Sequence, residues 1–389
     1  MHIFNIRTFF FRIFIILFVI SIGVALVIKS VPVEKYQVTD ETILAPLFAC
    51  QATHDESGRC FQFAANAMLS RASFPQVLDT IAKNESNPYV YERCHITLHY
   101  LSQLEYKKVK NLQTVFSKCI PTCLEGCYHG AVEGYFIDKQ IPLDQNDAIS
   151  REIPVVCGKS EQYEKKEIYN QCLHGIGHAV MFLTGSDVPR SLHLCDALNA
   201  KNTETLCYTG VFMENTNNAT DPTHPTRFIK KEDPMYPCNI VDTSYQTICY
   251  ALQTSYFFKL TNFDWNKTAA LCAKEPDQYQ PPCYTTMGSN QIGYISDLKK
   301  VAANCSSLLS DGKKQCVQGV VSHLLIRFGG RYEQSFEFCK MVDDSFKKYC
   351  YFQLGLTLKE WVDSSQQDQI CQKFAEDTYG DYCRNTLLI

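Results

Sequence analysis

Apolar residues along this chain follow two patterns. Near the start they form one block: after Arg7 and Arg12 comes a charge-free, mostly apolar run from Ile13 to Ile28, which Phe9–Phe11 extend on its N-terminal side. Beyond it they come in shorter stretches that each carry a cysteine and are separated by polar residues. In "SDLKKVAANCSSLLSDGKKQCVQGVVSHLLIRFGG", Ser296 or Asp297 can cap a first helix whose last turns hold Cys305. "SDGKKQ" reads as a polar loop, and a second helix runs from about Cys316 until Gly329–Gly330 end it. The next unit, "RYEQSFEFCKMVDDSFKKYCYFQLGLTLKEW", repeats the plan.

Cysteine spacing turns that plan into a period. The pairs Cys195/Cys207, Cys238/Cys249, Cys272/Cys283, Cys305/Cys316, Cys339/Cys350 and Cys371/Cys383 are each separated by 11 or 12 residues. From one second cysteine to the next the steps are 42, 34, 33, 34 and 33 residues. A period near 34 is that of a two-helix repeat unit. One cysteine late in the first helix and one early in the second lie close when the helices are antiparallel, so each hairpin is expected to be stapled by a disulfide. Cys157/Cys172 and Cys50/Cys60 extend the scheme backwards. Cys94, Cys119, Cys123 and Cys127 remain, with three connectivities open, and "CIPTCLEGC" also admits a thiolate metal cluster.

Twenty cysteines place the body of the chain in an oxidising compartment. The apolar run near the start agrees. It is read as an uncleaved single-pass anchor entering the membrane through residues 9–28, with a cleaved signal peptide at "GVA" (23–25) as the rival that would make the protein secreted. The expected organisation is an anchor over 1–29, a linker over 30–48, N-terminal repeats over 49–190 and C-terminal stapled repeats over 191–389. Four sequons, at Asn84, Asn218, Asn266 and Asn304, fit a secretory route without establishing it. Thirty-seven basic against 41 acidic residues leave the chain nearly neutral, which argues against nucleic acid as a partner.

On these cysteine-stapled hairpins, residues 50–389 resemble the Sel1-like and tetratricopeptide superclass of α-solenoids, especially its cysteine-rich secreted members. The resemblance is one of architecture, because the tetratricopeptide consensus residues are not recoverable. It implies an all-α, right-handed solenoid with a long concave face for a protein or glycan ligand.

Comparing the second helices with one another isolates the candidate chemistry. Three places after the cysteine stand Gly130, Gly175, Gly210 and Gly319, a pattern that suits close helix packing. Two places after it stand His129 and His174, then Thr209, Ala251, Thr285, Gln318 and Phe352. Six places after it stand Glu133 and His178, then Met213, Ser255, Ser289, Ser322 and Leu356. Folding cannot demand histidine where sister units take alanine or phenylalanine. "YERCHITLHYL" adds His95 and His99, with Glu92 three places before His95. Side chains four apart share a helix face and can chelate one ion. Five of the ten histidines fall in these three segments, which raises chance pairing to a pattern.

The expected site is therefore His95, His99, His129, Glu133, His174 and His178 around one divalent transition metal or a pair, zinc, iron or copper, with Glu133 or Glu92 as general base should a reaction be catalysed. Its design is similar to that of deoxyhypusine hydroxylase, a helical-repeat protein with histidine–glutamate pairs on two irons. The competing expectation is a non-catalytic repeat protein whose histidines are polar lining. No nucleophile elbow, phosphate loop or dinucleotide fingerprint is present.

Overall fold

The chain folds as hairpins because each polar-capped apolar stretch becomes a helix and most cysteine pairs tie two of them together, while Cys119–Cys127 and Cys238–Cys249 tie a helix to the loop before it. A computed structural model describes residues 38–55, 57–142, 144–218 and 226–385. The apolar run read as a membrane anchor lies outside them. Among the described residues there is no strand, and no helix is long and apolar enough to cross a membrane.

Helices α1 (Asp40–Thr53), α2 (Gly58–Arg71) and α3 (Phe74–Lys83) open the fold. Then α4 (Pro88–Val109) is followed by the short α5 (Leu112–Phe116) and by α6 (Gly126–Lys139). Hairpins follow: α7 (Asn146–Val156) with α8 (Lys166–Leu183), and α9 (Val188–Cys195) with α10 (Lys201–Asn218). After α11 (Thr243–Leu260) come α12 (Trp265–Cys272) with α13 (Gln280–Gln291) and α14 (Leu298–Ser306) with α15 (Ser310–Arg327). The chain continues through α16 (Glu333–Met341), α17 (Asp344–Leu358), α18 (Ser364–Phe374) and α19 (Gly380–Cys383).

All eight cysteine pairs expected from spacing are disulfides, from Cys50–Cys60 to Cys371–Cys383. The undecided four pair as Cys94–Cys123 and Cys119–Cys127, so the thiolate cluster is excluded. One boundary differs from expectation. "SDGKKQ" is not a loop but the opening of α15, which starts at Ser310, leaving Cys316 in its second turn. The acidic Asp311 in the first turn favours that earlier start through the helix dipole. Asp297 and Asp264 cap α14 and α12 by accepting backbone N–H bonds from Lys299 and Lys267.

The second helix of each unit packs beside that of the next: α4, α6, α8, α10, α11, α13 and α15 form an inner row. Glycines set its spacing. A Cβ on Gly130 would lie 2.2 Å from the backbone oxygen of His99, and one on Gly210 equally close to that of His174. The row also turns back on itself. Arg327 of α15 lies over the ring of Tyr91 in α4, 3.4 Å from its centroid, and donates to the Tyr91 carbonyl oxygen at 3.0 Å. Tyr91 in turn donates through its hydroxyl to the carbonyl of Ile292. Gly329, left-handed at φ +59°, abuts Pro121. The end of α15 therefore meets the start of the row, where the sequence implied one long concave face.

A candidate metal centre between three inner helices

The inner row brings five of the chain's histidines to one place. His95 and His99 sit one turn apart on α4, His129 on α6, and His174 and His178 one turn apart on α8. His99, His129, His174 and His178 are buried, and His95 is half-buried. The His129 ring lies 4.7 Å from that of His174 and 5.4 Å from each of the other three, centroid to centroid. His99 and His178, from different helices, are 5.3 Å apart. Two sets of ligand-capable nitrogens, His95/His99/His129 and His129/His174/His178, each lie within 4.8 Å of one another. That is the convergence that the i, i+4 spacing on three neighbouring helices predicts.

Each outer nitrogen is engaged, and its partner fixes the tautomer. His99 Nδ1 donates to Glu133 Oε1 at 2.9 Å, and Glu133 Oε2 accepts from Gln103 Nε2 at 2.6 Å. His178 Nδ1 donates to Glu214 Oε2 at 2.7 Å. His95 Nδ1 lies 2.9 Å from the carbonyl oxygen of Cys123, which can only accept. His174 Nδ1 lies 2.7 Å from Thr209 Oγ1, whose own proton goes to the Leu206 carbonyl at 2.6 Å, so His174 is again the donor. These four rings hold their N–H outward and turn Nε2 inward. Within each pair the inward atoms nearly meet: His95 Nε2 to His99 Nε2 and His174 Nε2 to His178 Nε2 are both 3.1 Å.

The electrostatics follow from burial. Burial, and then the neighbouring imidazoles, hold His95, His129 and His174 well below the ordinary histidine pKa, so all three are neutral at pH 7. Burial also opposes charge on His99, but the Glu133 carboxylate outweighs it and raises that pKa. Glu133 is lowered in step: burial pushes it up, and the charge and hydrogen bond of His99 overcome the push.

Local backbone is spent on this arrangement. Cys123, Leu124 and Glu125 are consecutive left-handed residues at φ 51°, 54° and 58°, a conformation costing a non-glycine residue on the order of 1 kcal/mol. Cys94–Cys123 ties this loop to α4 beside His95, and Cys119–Cys127 ties it to α6 just before His129. The loop that carries two disulfides is the one that presents the carbonyl to His95.

Of the residues singled out in the sequence, the five histidines and Glu133 come together. Glu133 does so from outside, since both its oxygens are taken by His99 and Gln103. Glu92 stands apart, exposed on α4 and 3.9 Å from Arg93. Glu214, Thr209, Gln103 and Gln171 were missed. Gln103 stands four places after His99, and Thr209 occupies the same repeat position as His174. Glu214 lies one place beyond Met213, the sister position of His178.

Comparison with known proteins finds no matching family model, no matching curated protein and no matching solved structure. The likeness to Sel1-like and tetratricopeptide repeats is thus one of architecture, and the chemistry stands on the geometry.

Proposed function

We propose that the protein is a membrane-tethered, extracytoplasmic metalloprotein, a helical-repeat solenoid whose N-terminal units hold a mono- or dinuclear zinc, iron or copper centre on His95, His99, His129, His174 and His178. Ten disulfides support the compartment. The tether rests on the apolar run at residues 9–28.

One observation carries the metal. Two imidazoles whose Nδ1 atoms are engaged outward turn their Nε2 atoms toward each other at 3.1 Å, and this occurs twice. Two facing lone pairs repel, and a proton or a metal ion between the nitrogens relieves this; one ion shared by the convergent rings answers both pairs. For an ion bound at about 2.0–2.1 Å, that separation subtends roughly 100°, between the octahedral and tetrahedral ligand angles. All-imidazole donors suit zinc, copper and iron. Glu133 and Glu214 complete the histidine–carboxylate arrangement that raises ligand basicity and fixes ring orientation. A bound ion would supply Lewis acidity or, for iron or copper, electron transfer.

The test is the metal content of the purified full chain, with a His129→Ala/His174→Ala variant beside it. We expect stoichiometric metal in the parent, and its loss with a lowered melting temperature in the variant. The alternative is a metal-free binding protein for protein or glycan ligands, its ring pairs bridged by protons. No stoichiometric metal after exposure to each ion, with unchanged melting in the variant, would establish that alternative.

A further inference from the structure

His129 is turned the other way from its four neighbours. Its Nε2 lies 2.6 Å from Gln171 Oε1, and Gln171 Nε2 donates to Glu167 Oε1 at 2.8 Å. The direction of every bond in this chain is settled from its far end. A carboxylate only accepts, so the Gln171 amide must turn its NH2 to Glu167. That leaves the amide oxygen facing His129, so His129 Nε2 carries the proton. Its Nδ1 is buried and finds no partner among the described residues. A buried ring nitrogen without a partner is uncommon, and this one belongs to the ring that lies nearest the middle of the other four.

We infer that His129 is the fifth ligand of the centre through Nδ1, while the other four bind through Nε2, and that Gln171, held by Glu167, is the positioning residue that selects this nitrogen. The inference rests on the metal reading and adds two residues to it. Gln171 and Glu167 stand one turn apart on α8, and Gln171 directly precedes Cys172, so the helix that supplies His174 and His178 also orients the ligand of its neighbour. A hydrophobic residue at 171 would leave His129 free to rotate its proton onto Nδ1 and close the fifth position. An acceptor there would preserve it.

Long-range proton–nitrogen correlation on the full chain, labelled with 15N-histidine and loaded with zinc, reads each ring directly, a His129→Ala variant assigning the signal. The expected pattern is four rings protonated at Nδ1 and metal-bound at Nε2, with His129 alone reversed. Gln171→Leu should abolish the reversed signal and weaken zinc binding by 10- to 100-fold, the range for lost outer-shell partners. Gln171→Glu should restore the signal. Zinc bound with His129 coordinated through Nε2, or not coordinated, overturns the inference and leaves the metal reading standing. So does a Gln171→Leu variant with the parent's affinity and pattern. Absence of stoichiometric zinc, iron or copper in the parent after exposure to each ion overturns both.

Discussion

The helices α6 and α8 share their packing positions with α13 and α15, yet the two regions treat the same sites differently. In α13 and α15 the places two and six after the cysteine hold Thr285, Ser289, Gln318 and Ser322, all half-buried. There, polar groups find partners in the next helix: Thr285 Oγ1 lies 2.9 Å from Gln315 Oε1, and Ser289 Oγ lies 3.1 Å from the Gly319 carbonyl oxygen. In α6 and α8 the same places hold His129, Glu133, His174 and His178, and the outward atoms are satisfied while the inward ring nitrogens face one another. A close-packed row of helices thus serves as a scaffold at both ends. Among the described residues, five imidazoles converge at one end only, and that marks it as the place for a ligand.

The widest separation between the regions comes from removing inward groups. His174→Ala/His178→Ala is expected to abolish metal binding and to lower the melting temperature of the metal-loaded protein to that of the chelated parent. The matched Thr285→Ala/Ser289→Ala change should leave metal content untouched. Metal analysis and calorimetry with and without chelator check both. Because a metal bound only by the native state adds its binding free energy to folding, this is the largest effect expected, several kcal/mol at saturating ion.

Disulfides give the next contrast. Replacing Cys94 and Cys123 by serine opens a loop of 29 residues and should cost about 3.5 kcal/mol in the chain-entropy model, with loss of metal as well, since the Cys123 carbonyl no longer holds His95. Replacing Cys339 and Cys350 opens only 11 residues and should cost about 3 kcal/mol with metal content unchanged. Denaturant unfolding and metal analysis of both variants read the difference. Equal metal retention would show that the left-handed loop is dispensable to the centre.

The regularity of the second region is why so much of the fold was legible. A staple across a hairpin must recur at nearly constant spacing, and an apolar stretch between caps must be a helix. The histidines were legible for the opposite reason, as exceptions on a repeating background. What was not legible depends on contacts that spacing does not encode. Nothing in the local pattern of Arg327 reports that it meets Tyr91, 236 positions away, or that the row returns on itself. The opening of α15 was misplaced because the exposed first turns of a helix are as polar as a loop. Glu133 reads as a ligand from its four-residue spacing to His129. It bonds His99 and Gln103 of α4 instead, contacts between helices that spacing within α6 does not encode. Glu214 escaped because it stands one place beyond a compared position, and Gln171 because it precedes the cysteine from which those positions are counted.

Two buried glutamates sharpen the contrast in another way. Glu133 has His99 and Gln103, and its pKa is lowered. Glu275, between α12 and α13, is 3% exposed, neither carboxyl oxygen has a partner among the described residues, and burial raises its pKa to about 9. The folded state then keeps a proton that the unfolded state releases above its ordinary value near 4.5. Stability from this group is complete below that value and declines as pH rises toward about 9. Glu275→Gln should remove the decline, so that between pH 5 and 8 the variant gains roughly 3 kcal/mol on the parent. Urea unfolding across that range measures it. Parallel profiles would mean that Glu275 is ionised and partnered in the folded protein.

The smallest effect tests the claim that the second region's polar residues are complete in themselves. Ser289 has a carbonyl acceptor in α15 and a second one turn back in its own helix, at Thr285. Ser289→Ala therefore removes a donor and leaves two carbonyl oxygens that already serve the helix ladders, so no buried group is stranded. The expected cost is about 1 kcal/mol, the net worth of one neutral hydrogen bond. The methyl group fits the space that the hydroxyl leaves. Equilibrium unfolding gives the cost and metal analysis the control. A loss of several kcal/mol, or any change in metal content, would mean that Ser289 serves a polar centre of its own, and the two ends of the row would then differ in the kind of ligand rather than in having one.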